Sequence, residues 1–469
     1  MSLPFRAGLA LLAAVPCLAW ADDAADLKAL RDEIATMRSS YEQRLQALEA
    51  RLQAAEAARA NPAQSTSASP APAATAVAEP PAFPATGTPV RGTATPGTGF
   101  NPAVSLILSG LYTRTSRDPQ GFRFRNIPLP PDAEAGPGAR GFSVGESELG
   151  LSANIDPWFS GVANISFQPD NSVSVEEAYV QTTSLGNGLT ARAGRFLSGI
   201  GYLNPQHPHT WDFVDAPLAY QALLGNRFGN DGVQVAWLAP TDQFFELRGE
   251  LGRGASYPGN GAGGNGAGST ALIAHTGGDI GDDHSWRGGL SVLQARAAGQ
   301  ALSAVDATGA SVTNAFTGST RVWIADGVWK WAPGGNATRT SFKLQGEYLR
   351  GTRDGTLVAD TLAATGGAYR AVQTGWYVQG VYQFMPRWRV GLRTERVDGG
   401  LPTFSAATAA LALDEGTSRR NSVMLDWSPS EFSRLRLQLA RDTSRPGPGD
   451  NQLWLQYLMS LGAHGAHSF

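Results

Sequence analysis

The chain has 469 residues, 37 Lys and Arg against 40 Asp and Glu, a formal net charge of −3, and only 16% charged residues. The lack of a basic excess argues against nucleic-acid binding, and a single cysteine leaves no disulfide framework. No stretch resembles an apolar helix of about 20 residues, so a membrane crossing would have to be made by strands.

The amino terminus reads Met-Ser-Leu-Pro-Phe-Arg, then an apolar run from Ala7 to Val15, then Ala19-Trp20-Ala21. A short basic segment, an apolar segment and a small-x-small site predict a secretory signal peptide over residues 1–21. Its loss removes Arg6 and Cys17, taking the net charge from −3 to −4 and leaving no thiol.

Residues 22–60 carry Leu27, Leu30, Ile34, Met37, Tyr41, Leu45, Leu48, Leu52 and Ala55 at spacings of three or four, with no Gly or Pro from 24 to 60. That is a heptad seam with one stutter, and it predicts an α-helical coiled coil joining copies of the chain through residues 24–59. Residues 61–100 hold eight prolines among Ala, Thr and Ser, a semi-extended linker with no capacity to form a core.

From residue 101 the apolar positions recur with period two, as in Leu149-Leu151-Ala153-Ile155, Phe342-Leu344-Tyr348 and Leu435-Leu437-Leu439. Long polar residues occupy the alternate positions, and Trp158, Trp237, Trp286, Trp329, Trp388 and Tyr457 fall near strand ends. This is the pattern of a polar lumen, an apolar belt and aromatic girdles. It predicts an all-β transmembrane barrel of about 16 antiparallel strands over residues 101–469. Turns at Asp156-Pro157, 186–188, 240–242, Met385-Pro386 and 428–430 should alternate with longer loops at 113–141, 198–230, 254–269, 297–318, 351–371 and 398–418. The last strand places Leu453, Leu455, Tyr457, Met459 and Leu461 on one face. Pairing it with the first strand would close the barrel.

Strand parity assigns Glu146, Glu148, Glu177, Arg192, Glu246, Arg248, Glu250, Arg287, Lys343, Glu347, Arg389, Arg393, Arg434 and Arg436 to the lumen. It adds Asp326, Lys330, Glu395 and Asp426. The two signs nearly balance, so neither an anion nor a cation filter is favoured.

Five groups bear on chemistry. Gly259 to Gly264 formally matches GxGxxG, but no strand–turn–helix frames it, so it reads as a flexible loop. Glu146, Glu148, Glu176 and Glu177 sit in strands with no His near them in the sequence, which points to lumen lining and not to an acid–base pair. No credible nucleophile–base spacing is present, so no enzyme is expected. His207-Pro-His209-Thr-Trp-Asp212 offers two imidazoles and a carboxylate, a candidate site for a divalent metal such as zinc. The same segment reads equally as a loop held rigidly in the barrel mouth. Asp279, Asp282, Asp283 and His284 form a looser cluster. His464 and His467 would lie on opposite faces of a strand.

Gly145 to Asp156, Val175 to Thr182, Ala193 to Asn204, the His207–Tyr220 loop, Asn230 to Trp237 and the Gly-Ala-His-Gly-Ala-His-Ser-Phe end resemble porin-family outer-membrane proteins of Gram-negative bacteria. Together they resemble the group labelled zinc-regulated TonB-dependent outer-membrane receptors, and the preceding coiled coil is similar to that of trimeric porins. A TonB-dependent receptor takes a barrel of about 22 strands around a plug, whereas residues 101–469 suit about 16. The resemblance implies an outer-membrane channel for small hydrophilic solutes, a trimer with its coiled coil in the periplasm, and contact with lipid and lipopolysaccharide. A metal-capturing receptor, or a plugged barrel anchoring the coiled coil, are the alternatives it leaves.

Overall fold

The computed structural model describes residues 102–462 apart from 262–264, 307, 407–410 and 415. The signal segment, the heptads, the linker and the terminal His464, His467 and Phe469 lie outside the described residues.

The described chain forms one antiparallel sheet of eighteen segments. The first nine are β1 (Ala103–Thr115), β2 (Gly141–Val144), β3 (Ser147–Asn154), β4 (Phe159–Phe167), β5 (Val173–Thr182), β6 (Leu189–Leu197), β7 (Gly229–Leu238), β8 (Phe244–Gly252) and β9 (Ser269–Ile280). Next come β10 (His284–Val305), β11 (Ser311–Trp331), β12 (Ser341–Ala359), β13 (Thr365–Met385) and β14 (Trp388–Asp398). The last are β15 (Thr403–Phe404), β16 (Ser418–Ser430), β17 (Ser433–Asp442) and β18 (Asp450–Gly462).

Both β2 and β3 pair with β1, so they are one stave interrupted at Gly145-Glu146. The two residues of β15 add only a short rung to β13. The barrel therefore has 16 staves. It closes where β1 pairs β18 from Ser105↔Gly462 to Thr115↔Gln452. Closure leaves no unpaired edge.

Connections at one end are short, among them 155–158, 281–283, 386–387 and 431–432. The other end carries the long loops 116–140, 198–228, 253–268 and 399–417. Two stretches expected as loops, 297–318 and 351–371, are mostly strand. The hairpins β10–β11 and β12–β13 run on through strands of 22, 21, 19 and 21 residues. Their tips alternate Ala, Ser, Thr and Gly, which hides the period in sequence. In β10 a bulge between Ala297 and Gln300 shifts the inward parity by one residue, and beyond it alternation resumes: Leu302, Phe316, Leu357 and Tyr369 point inward and pack together with Phe404.

The outward positions are apolar and exposed. They include Leu344, Tyr348, Val378, Tyr382, Leu392, Leu425, Trp427, Leu437, Leu455, Tyr457 and Leu461. An exposed apolar surface of this extent needs a cover other than water.

Candidate functional site

The lumen departs from a uniformly polar lining. On the β9–β14 side the inward positions include Ile273, Leu293, Val322, Ile324, Leu349, Tyr377 and Val397, all buried. They are covered by the loop 198–228, which folds into the barrel. Ile200, Leu203, Trp211, Ala219, Leu223, Leu224 and Phe228 of that loop pack against them. A fully buried side chain of this kind contributes about 1.5–3 kcal/mol, so the loop is held largely by its apolar face.

The loop contains a short 3-10 turn at Pro208–Thr210 and one α-helix, α1 (Leu218–Leu224), every residue of which is buried. Pro217 precedes it with fixed φ, and Gly225 ends it in the left-handed conformation (φ 63°). Glycines in the facing strands make room for it. A Cβ on Gly375 of β13 would sit 2.8 Å from the Cβ of Ala219. Gly375→Leu should therefore expel α1 from its seat, and limited proteolysis of the folded barrel should then cut within 198–228. Retained protease resistance would show that the helix tolerates the intrusion.

Charged wall residues clamp the loop backbone. Glu347 accepts hydrogen bonds from the Tyr202 and Leu203 amides (3.1 and 3.0 Å) and from the Tyr220 and Tyr377 hydroxyls. Glu250 accepts from the Ser198 hydroxyl (2.6 Å) and the Gly199 amide (2.9 Å). Glu395 accepts from the Leu218 amide at the start of α1 (2.6 Å) and from Arg393 (2.8 Å) and Arg420 (2.9 Å). Asp215 of the loop pairs with Arg393 (2.7 Å) and Arg420 (2.6 Å). Arg434 donates to the His209 carbonyl and Arg436 to that of Trp211. Asp426 holds Arg436 at 2.7 Å and pairs with Arg389. Elsewhere Arg248 pairs with Glu246 (2.8 Å), Arg287 donates to His275 (2.9 Å), and Arg192 donates to Gln181. Asp326 lies 3.9 Å from His275.

The opposite wall, β3 to β5, is acidic. Arg227 of the loop pairs with Glu146 and Glu176. His207 places Nδ1 at 3.0 Å from Glu148 and 2.9 Å from Glu176, and Nε2 at 3.0 Å from Glu177. Burial alone would push the His207 imidazole down. The Glu148 charge and the hydrogen bonds to Glu148, Glu176 and Glu177 outweigh it and hold the ring well above its ordinary range. His209 stacks on His207 and lies 3.4 Å from Glu148.

Two expectations need correction. Glu148, Glu176 and Glu177 do have a histidine beside them, delivered by the loop 198–228. Asp212 does not join the two histidines, because Lys343, Arg389 (3.3 Å) and Gln379 (3.0 Å) hold it on the other side of the loop. Sequence reasoning also passed over Arg227 and Arg420. Parity with Asp426 signals Arg420, whereas Arg227 sits in irregular chain with no period to reveal it. Between the loop and the β1–β18 wall remains a cavity of about 160 Å³, lined by Glu134, Glu146, His209, Asp215, Arg227 and Gln456 among others.

No family model matches the chain. It is 30% identical over 392 residues to an uncharacterized protein of Aquifex aeolicus, covering 79% of this chain and 80% of that one. Similar solved structures include an anion-selective porin from Comamonas acidovorans, at 10% identity and a TM-score of 0.48, covering 77% of this chain and 100% of that one. The outer-membrane channel DcaP of Acinetobacter baumannii is similar at 12% identity and a TM-score of 0.47, covering 77% and 98%. A loop-deleted form of the outer-membrane protein OmpT of Vibrio cholerae is similar at 10% and 0.47, covering 77% and 99%.

Proposed function

This chain belongs to the family of the Aquifex aeolicus protein, and we propose that it is a porin-like channel in the outer membrane of a Gram-negative bacterium. The observation that carries the reading is the closed barrel with an apolar exterior and a lumen of charged walls, acidic on β3–β5 and arginine-rich on β14–β17. Lipid and lipopolysaccharide cover the outward belt. Small hydrophilic solutes pass beside the inward loop, between walls of opposite sign. The heptads over 24–59 hold protomers as a trimer in the periplasm, after the signal peptide 1–21 has been removed. No catalytic role is proposed.

Full-length protein reconstituted in a planar bilayer with a chelator present should give stable conductance steps in groups of three. Steps in other multiples would sink the trimer and leave the channel. A second reading, a barrel closed by its own loop and serving as an anchor, draws on the apolar packing of that loop across the lumen. Silence in the bilayer would favour it.

A further inference from the structure

We propose that Glu148, Glu176 and His207 form a binding site for a divalent transition-metal ion, pinning the inward loop to the acidic wall. The site is independent of whether the barrel conducts.

The argument begins with the imidazole. Glu177, a carboxylate that only accepts, faces His207 Nε2 at 3.0 Å, and the Asn164 side-chain amide lies 3.3 Å from the same nitrogen; a proton on Nε2 is the arrangement that satisfies the carboxylate. A carboxylate behind the distal nitrogen of a histidine is the arrangement that fixes the tautomer and orientation of a metal-ligating ring. The ring's other nitrogen, Nδ1, then points between the carboxylate oxygens of Glu148 and Glu176, at 3.0 and 2.9 Å. A neutral Nδ1 presents a lone pair, and three lone-pair donors at this range repel one another unless a positive centre stands among them. That centre is either a proton on Nδ1 or a metal ion.

Geometry and charge suit the metal. The three donor atoms lie within 4.8 Å of one another. Ligands at about 2.0–2.1 Å from a tetrahedral ion are about 3.3 Å apart, so a shift of a few tenths of an ångström opens the site. One imidazole and two carboxylates suit zinc and its neighbours better than calcium or magnesium, which take oxygen ligands. Four carboxylates converge here, Glu146, Glu148, Glu176 and Glu177, and Arg227 pairs with the first and third. A divalent ion offsets more of that charge than a proton does. The remaining coordination position falls to water, with His209 beside Glu148.

The test uses full-length folded protein in detergent, stripped with chelator and dialysed against micromolar zinc, with barrel folding checked by heat-modified migration. The native chain should retain a single zinc. His207→Ala and the double variant Glu148→Gln/Glu176→Gln should lose it. Glu177→Gln should weaken retention by about 10- to 100-fold through loss of the orienting carboxylate. No retention by the native chain overturns the proposal, and so does retention unchanged in folded His207→Ala. Should the variants fail to fold, zinc-edge X-ray absorption on the native protein decides. A nitrogen–oxygen shell with one imidazole supports the site, and any other imidazole number overturns it. Zinc retention by a barrel silent in the bilayer would remove the channel and leave the site.

Discussion

Replacing Glu395 with Leu should destabilise the barrel by about 3–5 kcal/mol, the cost of stranding buried charge. Glu395 is fully buried and accepts from Arg393 and Arg420, whose side chains are 1% and 0% exposed. It also accepts from the Leu218 amide, one of the unpaired donors at the start of α1. With the carboxylate gone, two guanidinium groups keep the Asp215 carboxylate and the backbone carbonyls of Asp215 and Ala216, and the Leu218 amide loses its acceptor. Guanidinium unfolding from detergent should show a lower midpoint, and limited proteolysis should show cleavage within 198–228. One strand position further on, Arg396 and Asp398 form a pair 3.7 Å apart with both side chains about 40% exposed. Breaking it with Asp398→Asn should cost no more than about 1 kcal/mol. Equal effects at the two sites would mean that the lumen around Glu395 is as wet as the surface.

Excising residues 205–226 should raise single-channel conductance several-fold. The cut is feasible because the loop's ends already meet: the Phe228 amide donates to the Asn204 side chain at 2.7 Å, which in turn donates to the Phe228 carbonyl at 2.9 Å. A short Gly-Ser bridge can therefore rejoin the chain without disturbing β6 or β7. The excised segment carries Trp211, all of α1 and the groups that fill the lumen opposite the acidic wall. Its removal also uncovers Tyr377, whose ring meets that of the excised Tyr220, so the shortened barrel should be less stable as well as more conductive. If the native chain is silent and the excised one conducts, the loop is a plug. Unchanged conductance would mean that ions pass outside the space it occupies.

Much of the frame was legible because period two survives translation into three dimensions. Leu453, Leu455, Tyr457 and Leu461 share an outward face, and β18 closes on β1. Glu347, Glu395, Arg393, Arg436 and Asp426, which alternation assigns to the lumen, are buried in the structure. The same rule was blind where alternation used small residues, which is how the β10–β13 hairpin tips came to read as loops. It was also silent on the irregular loop, where His207 and Arg227 have no period to place them.

Sequence alone therefore determined the barrel and its closure, because these follow from a local alternation that recurs in every stave. Tertiary structure alone decided what the inward residues do. Glu347, Glu250 and Glu395 face a folded-in loop and bind its amides, while Asp212 turns to Lys343 and away from His207. Loop and wall partners of this kind lie as far as 225 residues apart in the chain. Local patterning carries no information about contacts at that separation, which arise only once the barrel has closed around its own loop.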